Sequence, residues 1–180
     1  MRFKLNPLIL LFIFPLLVSC ADNVDFNQMQ VNVDPIMDVP LVYFELDQLD
    51  FLEDTGEEVI SISDITDIDV FQTSIVRDNL DRFDMIINMR KDFPRGFRVN
   101  IAFLDDNLQP TYELSTISFA ESSEEFEIRE NIVIAANPGI LNTGKLRVEI
   151  ELVPSSGNPI DPDLQWELDF RSVGIFYLSF

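Results

Sequence analysis

Along most of this chain apolar side chains recur at every second position. Leu146, Val148, Ile150 and Leu152 alternate with Arg147, Glu149 and Glu151. Phe97, Val99, Ile101 and Phe103 alternate with Arg98, Asn100 and Ala102, and Phe83, Met85, Ile87 and Met89 with Asp84, Ile86 and Asn88. A period of two places one set of side chains in a core and the other toward water, which is the mark of a half-buried strand. Further strands are expected over Leu41–Asp47, Glu58–Ser63, Ile68–Ser74, Tyr112–Phe119, Phe126–Ile134 and Gln165–Phe180, the last interrupted by a bulge near Gly174. Lys91–Gly96, which contains Phe93-Pro94, reads as a hairpin loop between two of them. Helix is expected only as short turns, at Asp47–Asp54 or Ile134–Leu141. The pattern predicts an all-β fold, an antiparallel β-sandwich of about seven to nine strands, Ig-like or jelly-roll-like.

The first twenty residues follow a different rule. Arg2 and Lys4 precede an apolar run, Leu5–Val18, broken only by Asn6 among its polar positions. As a helix that run spans about 21 Å at about 1.5 Å per residue, short of the roughly 30 Å of a bilayer core. A basic start, a short apolar run and small residues at its end read as a signal peptide.

Leu17-Val18-Ser19-Cys20 ends that run, and Cys20 is the only cysteine. These four residues resemble the lipobox of bacterial lipoprotein precursors. The resemblance implies cleavage before Cys20, diacylglycerol on its sulfur and an acyl chain on its new amine. Ordinary secretory cleavage after Ala21 is the rival reading. Two or more acyl chains anchor a protein stably, whereas one holds it only marginally. The division expected is 1–19 as lipoprotein signal peptide, 20–40 as lipidated N-terminus and flexible tether, and 41–180 as the β-sandwich domain. Arg82–Asn107, a strand, a Phe-Pro turn, a second strand and Phe-Leu-Asp-Asp-Asn, is similar to small β-rich outer-membrane lipoproteins of the Bacteroidota, a likeness that carries no activity. Ala21 stands where inner-membrane lipoproteins of enterobacteria resemble one another in carrying aspartate. The location implied is the outer membrane, facing either the periplasm or the cell surface.

Charge narrows the partners. Twelve basic residues, less Arg2 and Lys4, face 32 acidic residues that all follow Cys20, so the mature side chains carry −22. Such a surface repels nucleic acid, whose binding depends on Lys and Arg neutralising phosphates. It also repels an anionic membrane face, which leaves contact with the bilayer to the lipid on Cys20. Ala21–Val76 holds no Lys or Arg, and half of the mature basic residues fall in Arg82–Arg98, so the two regions are expected to face each other.

Candidate chemistry is sparse. Without histidine there is no Ser–His–Asp or Cys–His arrangement and no usual zinc set. Catalytic residues are therefore assigned to none, and a carboxylate-based hydrolase is the remotest alternative. Calcium takes clustered oxygen ligands, for which Asp105, Asp106 and Asn107, Asp161 and Asp163, and Asp64, Asp67 and Asp69 are candidates, though none has EF-hand spacing. Solvated turn carboxylates are the plainer reading of all of them. No cofactor other than the lipid is expected. Phe93, Arg95 and Arg98 in and beside the expected hairpin loop, and Trp166 after a long loop, are the candidate partner contacts, as exposed aromatics beside arginine form binding hot spots. The ending Phe176, Leu178 and Phe180 also fits the closing strand of a small outer-membrane β-barrel. The function expected is a lipid-anchored, non-catalytic envelope protein, an accessory subunit or ligand-binding module with an envelope protein as partner.

Overall fold

The computed structural model describes residues 34–121, 125–153 and 159–180, and in them the alternation becomes antiparallel strands. These are β1 (Ile36–Asp47), β2 (Ser61–Asp67), β3 (Leu80–Lys91), β4 (Phe97–Leu104), β5 (Pro110–Glu113), β6 (Ile117–Phe119), β7 (Glu125–Val133), β8 (Lys145–Leu152) and β9 (Glu167–Leu178). One sheet has the order β1-β9-β3-β7 and the other β2-β8-β4-β5, with β6 also on β4. β5 and β6 line one edge in succession, pairing with Ala102–Leu104 and Phe97–Val99. Each sheet is thus four strands wide, and the chain changes sheet at almost every connection. This is a jelly roll. The closed-barrel alternative is corrected: the two sheets keep separate edges, at β1 and β7 and at β2 and β5/β6, and their apolar faces meet each other.

Phenylalanine fills the space between them. Phe83 of the first sheet stands edge-on to Phe103 of the second, ring centroids 5.7 Å apart, and Phe71 and Phe176 complete the group. A second group at the other end joins Phe51, Phe93 and Phe97, with Trp166 against Phe93 at 5.5 Å. Edge-to-face pairs of this kind add about 0.5–1.5 kcal/mol beyond their burial. Gly174 makes room in the first group. A Cβ there would lie 2.6 Å from Phe83 and 2.7 Å from Phe176, so the glycine serves close packing and β9 runs through it unbroken.

The bulges lie elsewhere. The β1–β9 register slips between Pro40 and Val42, and β3–β9 between Leu80 and Arg82. At the first, Ser172 Oγ accepts from the Val42 N–H at 3.2 Å, giving a partner to a donor that the ladder loses. Pro40, with no N–H to offer, is tolerated because β1 is an edge strand. The domain therefore takes in Ile36–Pro40, which the sequence assigned to the tether.

Two further expectations are corrected. Ile68–Ser74 is not a strand: Val70–Gln72 forms a 3₁₀ turn, then helix α1 (Ser74–Asn79) is capped by the Thr73 hydroxyl accepting from the Val76 N–H at 3.4 Å. This arrangement drives Phe71 fully into the core. Lys91–Gly96 is not a hairpin loop either, because β3 and β4 belong to different sheets and the segment carries the chain across the end of the sandwich. Of the two expected short turns, 138–142 is a 3₁₀ turn and 48–51 a run of turns.

Candidate binding face

The crossing segment explains why its residues leave the list of contacts. Phe93 is 1% exposed and Arg95 6%, so both are corrected to interior positions. Phe93 turns inward because the chain must cover the open end of the sandwich there, between Phe51 and Phe97. Arg95 grips Glu58 with two hydrogen bonds, 2.9 and 3.4 Å, and reaches the Val153 carbonyl at 3.4 Å. Glu58 also accepts from the Ile160 N–H at 2.8 Å, so this ion pair ties three connecting segments together. The Arg95 guanidinium holds the Glu58 carboxyl below its ordinary range, with burial opposing. Lys91 is buried alongside, its ammonium donating to the Phe93 and Glu121 carbonyls at 2.9 Å. Of the expected opposition between the acidic N-terminal half and the basic cluster, Arg95–Glu58 is the part realised. Arg82, Arg90 and Arg98 pair instead with Asp84, Asp169 and Glu151.

Arg98 is half-exposed beside Glu151 at 3.3 Å, and Trp166 is partly buried, its N–H donating to Gln48 Oε1 at 3.2 Å. Of the calcium candidates, Asp105 and Asp161 accept hydrogen bonds within turns, whereas Asp64 and Asp67 stand on β2. Asp105 Oδ1 accepts from the N–H groups of Asn107 and Gln109 at 2.8 Å, and Asp106 and Asn107 are exposed. Asp161 accepts from the Asp163 N–H at 3.0 Å. Leu17, Val18, Ser19 and Cys20 lie outside the described residues.

The concentration of chemistry is on the outward face of the β1-β9-β3-β7 sheet, where the strand register fixes neighbours. Tyr43 faces Arg171, which faces Asn88; Glu45 faces Asp169, which faces Arg90; Tyr177 faces Arg82. Asp84, between Phe83 and Met85, points outward yet is 4% exposed, because longer neighbours close over it. It receives Arg82 at 3.4 Å, Arg129 at 3.2 Å, the Asn131 amide at 2.5 Å and the Tyr177 hydroxyl at 3.3 Å. A carboxylate so covered would be costly alone and is stabilised by two guanidinium groups. Arg82 also lies over the Tyr177 ring at 3.7 Å.

Toward the other end, two open depressions adjoin. One, of about 350 Å³, is lined by Asn88, Arg90, Glu125, Asp169 and Arg171. The other, of about 460 Å³, is largely apolar and follows the β1 bulge along Pro40–Tyr43 and Arg171–Val173. Arg171 belongs to both. It stands exposed over the Tyr43 ring, 5.1 Å from the centroid, and makes no ion pair among the described residues. A guanidinium held by a ring rather than by a carboxylate keeps its donors available. Asn88, Glu125 and Arg171 supply donors and acceptors beside the apolar strip, a combination suited to recognition of a partly polar ligand or protein surface. Sequence reading missed these residues because each is one outward position in an alternating strand, and only the register brings them together.

No protein-family model matches the chain, and no curated protein matches it by sequence. Among solved structures, a Parabacteroides distasonis protein expected to be secreted is similar over 64% of this chain and 38% of its own, at 11% identity and a TM-score of 0.49. Infectious bursal virus T=1 particles contain a chain similar over 79% of this one and 31% of its own, at 10% identity and a TM-score of 0.44. A chain of desmodium yellow mottle tymovirus is similar over 82% of this chain and 90% of its own, at 10% identity and a TM-score of 0.32. This chain thus spans less than two fifths of the first two.

Proposed function

We propose that the chain is a lipid-anchored, non-catalytic protein of the bacterial envelope, held at the outer membrane through Cys20 and binding a partner with the outward face of its β1-β9-β3-β7 sheet. The anchor rests on Leu17-Val18-Ser19-Cys20 at the end of the apolar run. No helix among the described residues is long and apolar enough to cross a membrane. The observation that carries the binding role is Arg171, exposed, stacked on Tyr43 and shared by both depressions. A broad, open face suits recognition better than the enclosure of a reacting group.

The test is capture of the intact lipoprotein from envelopes in mild detergent, with bound proteins identified for three forms. Wild type and Arg147→Glu, a change on the other sheet, are expected to retain the same partner, and Arg171→Glu to lose most of it. Equal retention by Arg171→Glu would move the binding face elsewhere. Absence of any protein retained reproducibly by wild type would refute the accessory-subunit role.

A further inference from the structure

We propose that Glu45, Glu167 and Asp169 form a calcium-binding site at the Asp47–Glu167 end of the β1–β9 pair. One carboxylate oxygen from each lies within 4.8 Å of the others. Calcium–oxygen distances are about 2.3–2.6 Å, so a small side-chain movement brings all three onto a single ion between them. The arrangement is unfavourable without a cation. Glu45 and Asp169 are direct cross-strand partners, and like charges so placed repel. Glu167 follows two residues along on the same face.

A second, independent observation concerns hydrogen bonding. Asp169 is 5% exposed, and its Oδ1 is buried with no hydrogen-bond partner. Its Oδ2 is taken by Arg90 at 2.6 Å. Arg90 stands on β3, to one side of β9, and Glu45 on β1, to the other. With one oxygen engaged toward β3, the orphaned one is left for the β1 side, where Glu45 and Glu167 are. A buried anionic oxygen without a donor is costly, and a bound cation removes that cost. Glu45 is meanwhile steadied by the Tyr43 hydroxyl, which donates to it, and the Glu167 N–H is held by Asp92 Oδ1 at 2.5 Å. A cluster in which two of the three carboxylates are exposed and able to adjust suits the flexible, water-completed coordination of calcium rather than the strict octahedron of magnesium. The ion would bind edge strand β1 to β9 at the rim of the polar depression.

The test uses the mature lipoprotein in detergent micelles, with thermal unfolding followed in chelator and in about 1 mM calcium, a concentration at which extracellular calcium modules load. Calcium is expected to raise the midpoint, since a ligand of the native state alone stabilises it. The double variant Glu45→Gln/Glu167→Gln changes two exposed residues and is expected to lose most of that rise, with calcium affinity by titration calorimetry at least about tenfold weaker. Should the double variant unfold in chelator well below wild type, either single variant serves in its place, with the same expectation of weaker affinity. Identical midpoints for wild type in calcium and in chelator would overturn the proposal. So would an undiminished rise in the variant, which would place calcium on another acidic group such as Asp105–Asn107 or Asp161 and Asp163.

Discussion

At the scale of single residues, burial decides what each candidate does. Phe93 is a core side chain, so Phe93→Ala is expected to destabilise the domain by about 3–5 kcal/mol, read from the denaturant midpoint; a contact residue would leave that midpoint unmoved. Gly174→Ala sets a methyl against two packed rings, and overpacking of this kind costs about 1–3 kcal/mol. Two ionisable groups make stability depend on pH, with opposite signs. The Glu58 carboxyl is lowered by Arg95, so the unfolded chain takes up its proton first as pH falls. Its contribution is complete above the ordinary carboxyl range and disappears as pH drops through the lowered value. Glu58→Gln should therefore flatten the acid limb of a stability–pH curve. Burial, and then the Glu130 carboxylate that accepts its hydroxyl at 3.0 Å, push Tyr112 up to about 12. Unfolded tyrosine ionises near 10, so the Tyr112 contribution is full below that and is lost between pH 10 and about 12. Tyr112→Phe should remove this part of the alkaline loss, and an alkaline limb of unchanged slope would contradict it.

At the scale of elements, alternation made β4 and β8 legible to within a residue and β3 through its middle, because each has one face in the core. What stayed hidden depends on which sheet a strand joins. A six-residue connection rich in turn formers fits a hairpin and a sheet crossing equally well, and only the inward turn of Phe93 and the burial of Lys91 and Arg95 distinguish them. Ile68–Ser74 was misread as a strand because Phe71 enters the core from a 3₁₀ turn, where period two says nothing. The candidate face escaped for a related reason: Tyr43, Arg171 and Asn88 are far apart in sequence, and pairing across two ladders makes them neighbours. Edges carry their own logic. Asp64 of β2 lies opposite the buried Val148, so a charge faces the inner side of an edge strand, a device that discourages strand addition. Asp64→Val is expected to promote concentration-dependent self-association, visible by light scattering, while scattering identical to wild type would show the charge to be incidental. The Ser172 hydroxyl at the β1 bulge is a smaller matter. Ser172→Ala leaves the Val42 N–H without that acceptor and should cost about 1–3 kcal/mol.

At the scale of the whole molecule, a strongly acidic jelly roll follows the segment proposed as a lipoprotein signal ending at Cys20. On the proposed cleavage before Cys20 the side chains would carry −22, a charge that would keep such domains apart in solution and away from anionic headgroups and would leave membrane association to the lipid proposed on Cys20. Four of the ten mature basic residues, Arg82, Arg90, Arg129 and Arg171, stand on that one sheet face. Three of them are engaged with Asp84 and Asp169, and the fourth, Arg171, makes no ion pair among the described residues. The central claim is that this domain is tethered by lipid at Cys20, and the mass of the mature N-terminal peptide, isolated from the native envelope, tests it most directly. The expected result is a peptide beginning at Cys20 and carrying diacylglycerol with an added acyl chain. A peptide beginning at unmodified Asp22, or one retaining the residues before Cys20, would contradict it.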